Sequence, residues 1–117
     1  MDKYQIAVYN ALRKLGIPAH VKGYEFLKSA MKIINKDTQS IFSMMKLYEA
    51  VAKEHDTTDK KVERGIRHAI SLIRADDAGQ YSVLGKTGHL ANREFLSTLN
   101  ESIKLMLATE ESLAEAK

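Results

Sequence analysis

One strongly amphipathic segment dominates this chain, and it reads Thr57-Thr58-Asp59-Lys60-Lys61-Val62-Glu63-Arg64-Gly65-Ile66-Arg67-His68-Ala69-Ile70. At about 100° per residue, an α-helix places the aliphatic residues of this segment along one side and its cations opposite them. The aliphatic side holds Val62, Ile66, Ala69, Ile70 and Ile73, and the cationic side holds Lys60, Arg64, Arg67 and Ser71. This division predicts a helix that buries one side in the domain and turns a row of positive charge to the solvent.

The positive charge of the chain is concentrated around this segment. Residues 60–74 hold five cations and one acid, a net charge of +4, whereas the whole chain carries only +3. Residues 1–74 carry +6 and the remaining residues carry −3. A local basic surface is typical of nucleic-acid-binding domains. Charge alone fits an ordinary solvated helix face equally well.

Composition limits what the protein can be. A chain of 117 residues with 44% hydrophobic residues is long enough for one domain with one core. The absence of cysteine excludes disulfides, thiolate metal sites and a cysteine nucleophile. The first residues lack a secretory signal, and no apolar run approaches the about 20 residues of a membrane span. We therefore expect a soluble protein that is not exported and that resides in a reducing, cytosolic setting.

The order of periodic segments predicts an all-α, compact single domain of about five to six helices over residues 1–108, followed by a frayed acidic tail over 109–117. The only proline is Pro18, and Gly16 is expected to end the first helix. The expected helices cover residues 2–15, 23–35, about 37–55, 58–74 and 92–107, and 75–93 is expected to be a loop with one short helical turn near 80–84. The residues expected on their buried sides include Ile6, Phe26, Met45, Leu96 and either Met106 or Leu107.

The third and fourth of these helices are joined by a short polar turn at His55-Asp56, which predicts a helix-turn-helix. Long cations and a carboxylate in the first turns of its second helix suit the edges of bases, since this part of such a helix enters the major groove. We assign base contacts to Lys61, Glu63 and Arg64, and contacts with phosphates or the groove edge to Lys22, Thr57, Thr58, Lys60, Arg67 and His68. The competing interpretation is a solvated helix face on which Glu63 and Arg67 form an ordinary i,i+4 pair.

Two glycines and one short motif have more than one interpretation. Gly65 lies inside the predicted helix, where it either lets another backbone approach closely or has no role at all. Gly23 is expected to serve the architecture of a loop-to-helix junction. The string Gly85-Lys86-Thr87 resembles the end of a phosphate-binding loop, but the required earlier glycine and strand are missing. We expect no catalytic residue, no metal and no cofactor, and so no enzyme.

Two strings of the chain resemble the C-terminal effector domain family of stage 0 sporulation protein A. They are Gly16-Ile17-Pro18-Ala19-His20-Val21-Lys22-Gly23-Tyr24 and Val62-Glu63-Arg64-Gly65-Ile66-Arg67-His68-Ala69-Ile70, and a weaker similarity runs from about Tyr4 to Met106. The resemblance implies a six-helix domain whose helix-turn-helix reads a short DNA box in the major groove. It also implies pairing of two copies on tandem boxes and contact with the RNA polymerase sigma factor.

The chain departs from this family at three places. Lys61 stands where the family has an arginine that begins the base-reading set, and lysine lacks the planar fork of arginine. The segment from Val83 to Arg93, associated in the family with the sigma-factor contact, is shorter and different. The family also carries an N-terminal phosphoacceptor receiver domain, whereas here the DNA-binding-like region begins almost at Met1. If the chain is complete, phosphorylation of a receiver is not its switch.

Two hypotheses follow from the sequence. The first is a sequence-specific transcription regulator that binds double-stranded DNA in connection with sporulation. The alternative is a receiver-less protein-interaction module that modulates a sporulation regulator or RNA polymerase without reading DNA. Binding to a duplex with the family-type box and to a scrambled duplex separates the two.

Overall fold

The described part of the chain folds into six α-helices and one short 3₁₀ helix, which confirms the predicted all-α fold. The structure is a computed structural model that describes residues 1–73 and 78–116, and this part of the chain contains no β-strand. The elements in chain order are α1 (Lys3–Lys14), α2 (Lys22–Lys36), the 3₁₀ helix (Thr38–Phe42), α3 (Met44–Glu54), α4 (Asp59–Ser71), α5 (Ala78–Leu84) and α6 (Asn92–Glu115).

The central helix of the domain is α2, against which α1, α3, α4, α6 and the 3₁₀ helix all pack. Residues three and four positions apart share one side of a helix, and α2 buries Leu27, Ala30, Met31 and Ile34 completely in this way. The largest buried side chains of the other helices complete one core; they are Val8, Leu12, Leu47, Val51, Val62, Ile66, Phe95, Leu96 and Leu99.

The end of α1 follows the prediction from the sequence. Gly16 has a φ of +82°, in the left-handed region that favours glycine. Its N–H donates to the Arg13 carbonyl at 3.0 Å, and the Ile17 N–H donates to the Leu12 carbonyl at 3.1 Å. These two bonds satisfy carbonyls that the end of the helix leaves without partners. The glycine therefore ends the helix and turns the chain toward α2.

The single helix expected over about 37–55 is wrong, because the structure breaks it at Ser43. The backbone of Ser43 has φ −129° and ψ 63°, which is not helical, and it separates the 3₁₀ helix from α3. The Arg93 Nε donates to the Ile41 carbonyl at 3.1 Å. In a continuous helix that carbonyl would accept from residue 45, so a contact with α6 competes with helix continuity. Met45, expected to be buried, is 60% exposed.

The last helix is longer than the sequence suggested. We expected it to end near Leu107 with a frayed tail from Thr109, but α6 continues to Glu115. Its final two turns contain good helix formers and neither glycine nor proline. Met106 on this helix and Ile6 on α1 are exposed, contrary to expectation, whereas Leu107 is half-buried against the core.

Two smaller differences concern the ends of α4 and the segment beyond it. The expected helix over 58–74 ends earlier, because α4 stops at Ser71 and Leu72 caps it. Arg74 lies outside the described residues, as does the beginning of the loop expected over 75–93. Within that expected loop, α5 is a seven-residue helix rather than a single turn.

Candidate nucleic-acid interface

A tight turn joins α3 to α4 and sets the angle between them. The Thr57 N–H donates to the Ala52 carbonyl at 2.9 Å, and the Asp56 N–H donates to the Lys53 carbonyl at 3.5 Å. This pattern requires the first of the two donor residues to be left-handed, and Asp56 has a φ of +52°. The turn therefore uses the same geometry as the end of α1, with an aspartate in place of the glycine.

The start of α4 is capped by a side chain. The Thr58 Oγ1 accepts a hydrogen bond from the Lys61 N–H at 3.2 Å, and the backbone of Thr58 is extended. A threonine in this position satisfies one of the backbone donors that a helix start leaves free. The cap fixes the first turn of α4, which is the turn that carries Lys60 and Lys61.

The two sides of α4 have opposite surroundings. Val62, Ile66 and Ala69 have no exposed surface, so the aliphatic side is sealed into the domain. The long cations opposite them are exposed, and so is the neighbouring histidine; these residues are Lys60, Lys61, Arg64, Arg67 and His68. The helix therefore has the buried aliphatic side and the exposed basic side that the sequence predicted.

The carboxylate of Glu63 lies among the cations of this surface and already forms an ion pair. Its Oε1 lies 3.2 Å from the Arg67 Nη1, and the two side chains are 34% and 62% exposed. This is the i,i+4 pair that the competing interpretation of the sequence described. The pair leaves Arg64 as the exposed arginine of the first two turns, and Glu63 must leave Arg67 before it can accept from a base.

On one side of α4, the helix crosses α2 at two glycines. A Cβ at Gly23 would overlap the Gly65 carbonyl oxygen, and a Cβ at Gly65 would lie 2.8 Å from the Phe26 ring. The two backbones approach this closely because neither residue has a side chain. Of the two interpretations left open for Gly65, close approach is the correct one. Lys22, the first residue of α2, is exposed beside this crossing.

On the other side of α4, an amide of α6 holds the helix. The Asn92 Nδ2 donates to the Glu63 carbonyl at 3.2 Å and to the Tyr48 hydroxyl at 3.0 Å. Burial raises the pKa of Tyr48 and the Glu63 charge adds to the rise, whereas the Asn92 hydrogen bond and the nearby charges of Arg93 and Arg67 oppose it. One amide therefore joins α3, α4 and α6 at a single point.

The nominated residues of α4 and of the turn before it lie together at the start and along the outer side of that helix, with differences in their accessibility, whereas Lys22 lies on α2 next to Gly23. Thr58 is exposed but already caps the helix, whereas Thr57 is only half-exposed. Tyr48, Asn92 and Arg93 could not be nominated from the sequence, because their roles depend on contacts between distant segments. The only signal for them was the polar start of the last helix.

Among the residues that the structure describes, no helix combines the length and the apolar character that crossing a bilayer requires.

An all-α domain in which a capped basic helix follows a tight turn belongs, by its geometry, to the helix-turn-helix class. The model of the family described as Sporulation initiation factor Spo0A C terminal matches residues 8–103 of this 117-residue chain. The chain belongs to this family of sporulation-related DNA-binding effector domains. The match covers the second half of α1, α2 to α5, and the first half of α6, so the resemblance noted from two short strings is confirmed.

Proposed function

We propose that this protein is a sequence-specific, double-stranded DNA-binding transcription regulator that inserts α4 into the major groove. The observation that carries the proposal is the division of α4, whose aliphatic side is fully buried while its cations are exposed. A helix of this kind fits a major groove about 12 Å wide. The family membership supports DNA as the ligand.

Base contacts are assigned to Lys61, Glu63 and Arg64 in the first two turns of α4. Arg64 is exposed and forms no ion pair with any described residue, so its planar fork is available to the O6 and N7 of a guanine. Lys61 is exposed and donates to a guanine without fixing its plane. Glu63 accepts from a cytosine amino group once its bond with Arg67 is exchanged.

Contacts with phosphates position the helix without reading sequence. Lys60 and the Thr58 hydroxyl lie at the start of α4, and Arg67 and His68 lie one to two turns further along its exposed side. Lys22 lies beside the crossing of α2 and α4, and the partly exposed Thr57 completes the set. Their charges and hydroxyls suit the two DNA strands that border the groove.

The partners beyond DNA are proposed from the family. We propose that two copies pair on tandem boxes and that the bound protein contacts the RNA polymerase sigma factor. Because DNA is the ligand, we place the protein at the nucleoid in the bacterial cytoplasm. Sedimentation on duplexes with one box or two tests the pairing, since a pair would sediment as two chains only on the second.

The test of the proposed function is binding to a duplex with the family-type box and to a scrambled duplex of equal length. We expect the wild-type protein to prefer the box, and Arg64→Ala to reduce the preference by about 5- to 150-fold, equivalent to about 1 to 3 kcal/mol. Lys104→Ala is the matched control, because Lys104 is an exposed cation on α6 next to Asn35 and Ala108, away from α4. Equal weak affinity of the wild-type protein for both duplexes would refute sequence reading and favour the protein-interaction alternative.

A further inference from the structure

A shallow basic depression lies beside α4, where α3 and the start of α6 meet it. Its volume is about 310 Å³, and the side chains that matter for its chemistry are Tyr48, Arg67, Asn92 and Arg93. None of these except Arg67 was nominated from the sequence. The depression is open to solvent, since both arginines are exposed.

The charge balance of the depression favours an anion. Among the residues that the structure describes, Glu63 supplies the one carboxylate of the depression, and this group already pairs with Arg67. Arg93 donates its Nε to the Ile41 carbonyl, and no acidic side chain in the described ranges 1–73 and 78–116 forms an ion pair with it. Arginine has five N–H donors, so the remaining donors of Arg93 and its full positive charge are available to a ligand.

The position of the depression relates it to DNA. Asn92, which also binds the Tyr48 hydroxyl, lies against the Glu63 carbonyl, whereas Gly23, the residue next to Lys22, lies against Gly65. Residues two apart on a helix differ by about 200° around its axis, so these contacts are on opposite sides of α4. A helix in a major groove has one phosphate backbone on each side.

We propose that Arg93, with Arg67 and the Tyr48 hydroxyl, forms a second phosphate-contact site for the strand opposite the one that Lys22 contacts. This inference rests on the proposed insertion of α4 into the groove. The two sites hold the helix between the strands and add affinity without reading bases themselves. The Arg93 bond with the Ile41 carbonyl orients the guanidinium before DNA arrives.

The first test is the salt dependence of binding, measured on both the box duplex and the scrambled duplex. The slope of log K against log salt is negative, and loss of one phosphate contact reduces its magnitude by about 0.9. We expect Arg93→Gln to reduce the magnitude by this amount on both duplexes. The variant should weaken binding to both by the same factor and leave the ratio of the two affinities unchanged. Arg93→Lys should keep the wild-type slope, and Lys104→Gln, a change of another exposed cation of α6, should leave it unaltered.

The second test assigns the strand. Duplexes with a single uncharged methylphosphonate remove one phosphate charge at a time, and the effect of Arg93→Gln should vanish at a phosphate on one strand. The effect of Lys22→Gln should vanish at a phosphate on the other strand. Thermal unfolding of each variant checks that the domain stays folded.

The outcomes separate the two proposals. A wild-type slope for Arg93→Gln, or mapping of Arg93 and Lys22 to the same strand, overturns the second phosphate site while the box preference stands. A wild-type protein that binds box and scrambled duplexes equally refutes sequence reading, yet a reduced slope for Arg93→Gln still supports the phosphate contact. A protein that binds neither duplex overturns both proposals.

Discussion

At the scale of single residues, the crossing of α2 and α4 shows two effects of glycine that oppose each other. Glycine inside a helix costs about 1 kcal/mol relative to alanine, so propensity alone favours alanine at position 65. Packing favours glycine at this position instead, because the Phe26 ring occupies the space that a Cβ at position 65 needs. That ring is buried and held edge-on by His55, with ring centroids 5.3 Å apart. Overpacking of a core costs about 1 to 3 kcal/mol, so the packing outweighs the propensity.

Gly65→Ala is therefore expected to destabilise the domain by up to about 2 kcal/mol, the difference between overpacking and the gain in helix propensity. Urea denaturation followed by circular dichroism measures the change in the free energy of unfolding. The matched control is Gly79→Ala in α5, where a Cβ would meet only the Lys14 carbonyl at an ordinary 3.7 Å. A Gly65→Ala variant more stable than the wild type contradicts the close approach.

At the scale of elements, the turn between α3 and α4 has an aspartate where glycine is the usual residue. Asp56 has a φ of +52°, and a left-handed backbone costs most residues about 1 to 2 kcal/mol, less for aspartate and asparagine. The corresponding position at the end of α1 is Gly16. The turn thus stores a small strain at the point where the two helices of the candidate interface are joined.

Asp56→Gly is expected to stabilise the domain by about 0.5 kcal/mol, because relief of the strained backbone exceeds the greater flexibility of glycine in the unfolded chain. The midpoint of thermal unfolding reports the change. Glu54→Gly serves as the control, since Glu54 is the last residue of α3 and has a helical backbone. There glycine should cost about 0.5 to 1 kcal/mol, and equal losses in the two variants argue against strain at Asp56.

Some helix ends and one helix face could be predicted from the sequence, whereas other features of the same helices could not. Helix ends with local signals were predictable, as at Gly16, because the bonds that form them join neighbouring residues. The basic side of α4 was predictable from its periodicity. The break at Ser43 was not, since it depends on a bond from Arg93, 52 positions away from Ile41 in the chain. The same holds for the Asn92 amide, so the helix of the candidate site could be predicted but its surroundings could not.

At the scale of the whole molecule, a buried hydrogen bond joins the first helix to the last. The Tyr4 hydroxyl donates to the Asn100 Oδ1 at 2.7 Å, and both side chains are buried. Burial raises the pKa of Tyr4 well above its usual value of 10.0, and the charge of Asp2 adds to the rise. In the unfolded chain the hydroxyl ionises near pH 10, whereas in the folded protein it stays protonated to higher pH. The stability from this group is complete below pH 10 and is lost as the pH rises above it.

The domain is therefore expected to lose stability above about pH 10, with Tyr4 contributing up to about 1.4 kcal/mol per pH unit. Tyr4→Phe should flatten this loss. At neutral pH the same variant should be less stable by about 1 to 3 kcal/mol, because the buried Asn100 loses its donor. Urea denaturation at pH 7 to 11 measures both effects. Tyr81→Phe is the control, because Tyr81 is 62% exposed, and an unchanged alkaline slope in Tyr4→Phe speaks against the role of Tyr4.

The outward side chains of α4 touch little of the rest of the domain, whereas its inward ones are sealed in the core. On the proposed function, exchanging the exposed residues at positions 61 and 64 is therefore expected to alter the target sequence without a comparable effect on folding. Such a scaffold can diverge between genomes by a few substitutions, and a randomised library at these positions should yield folded variants with new operator preferences.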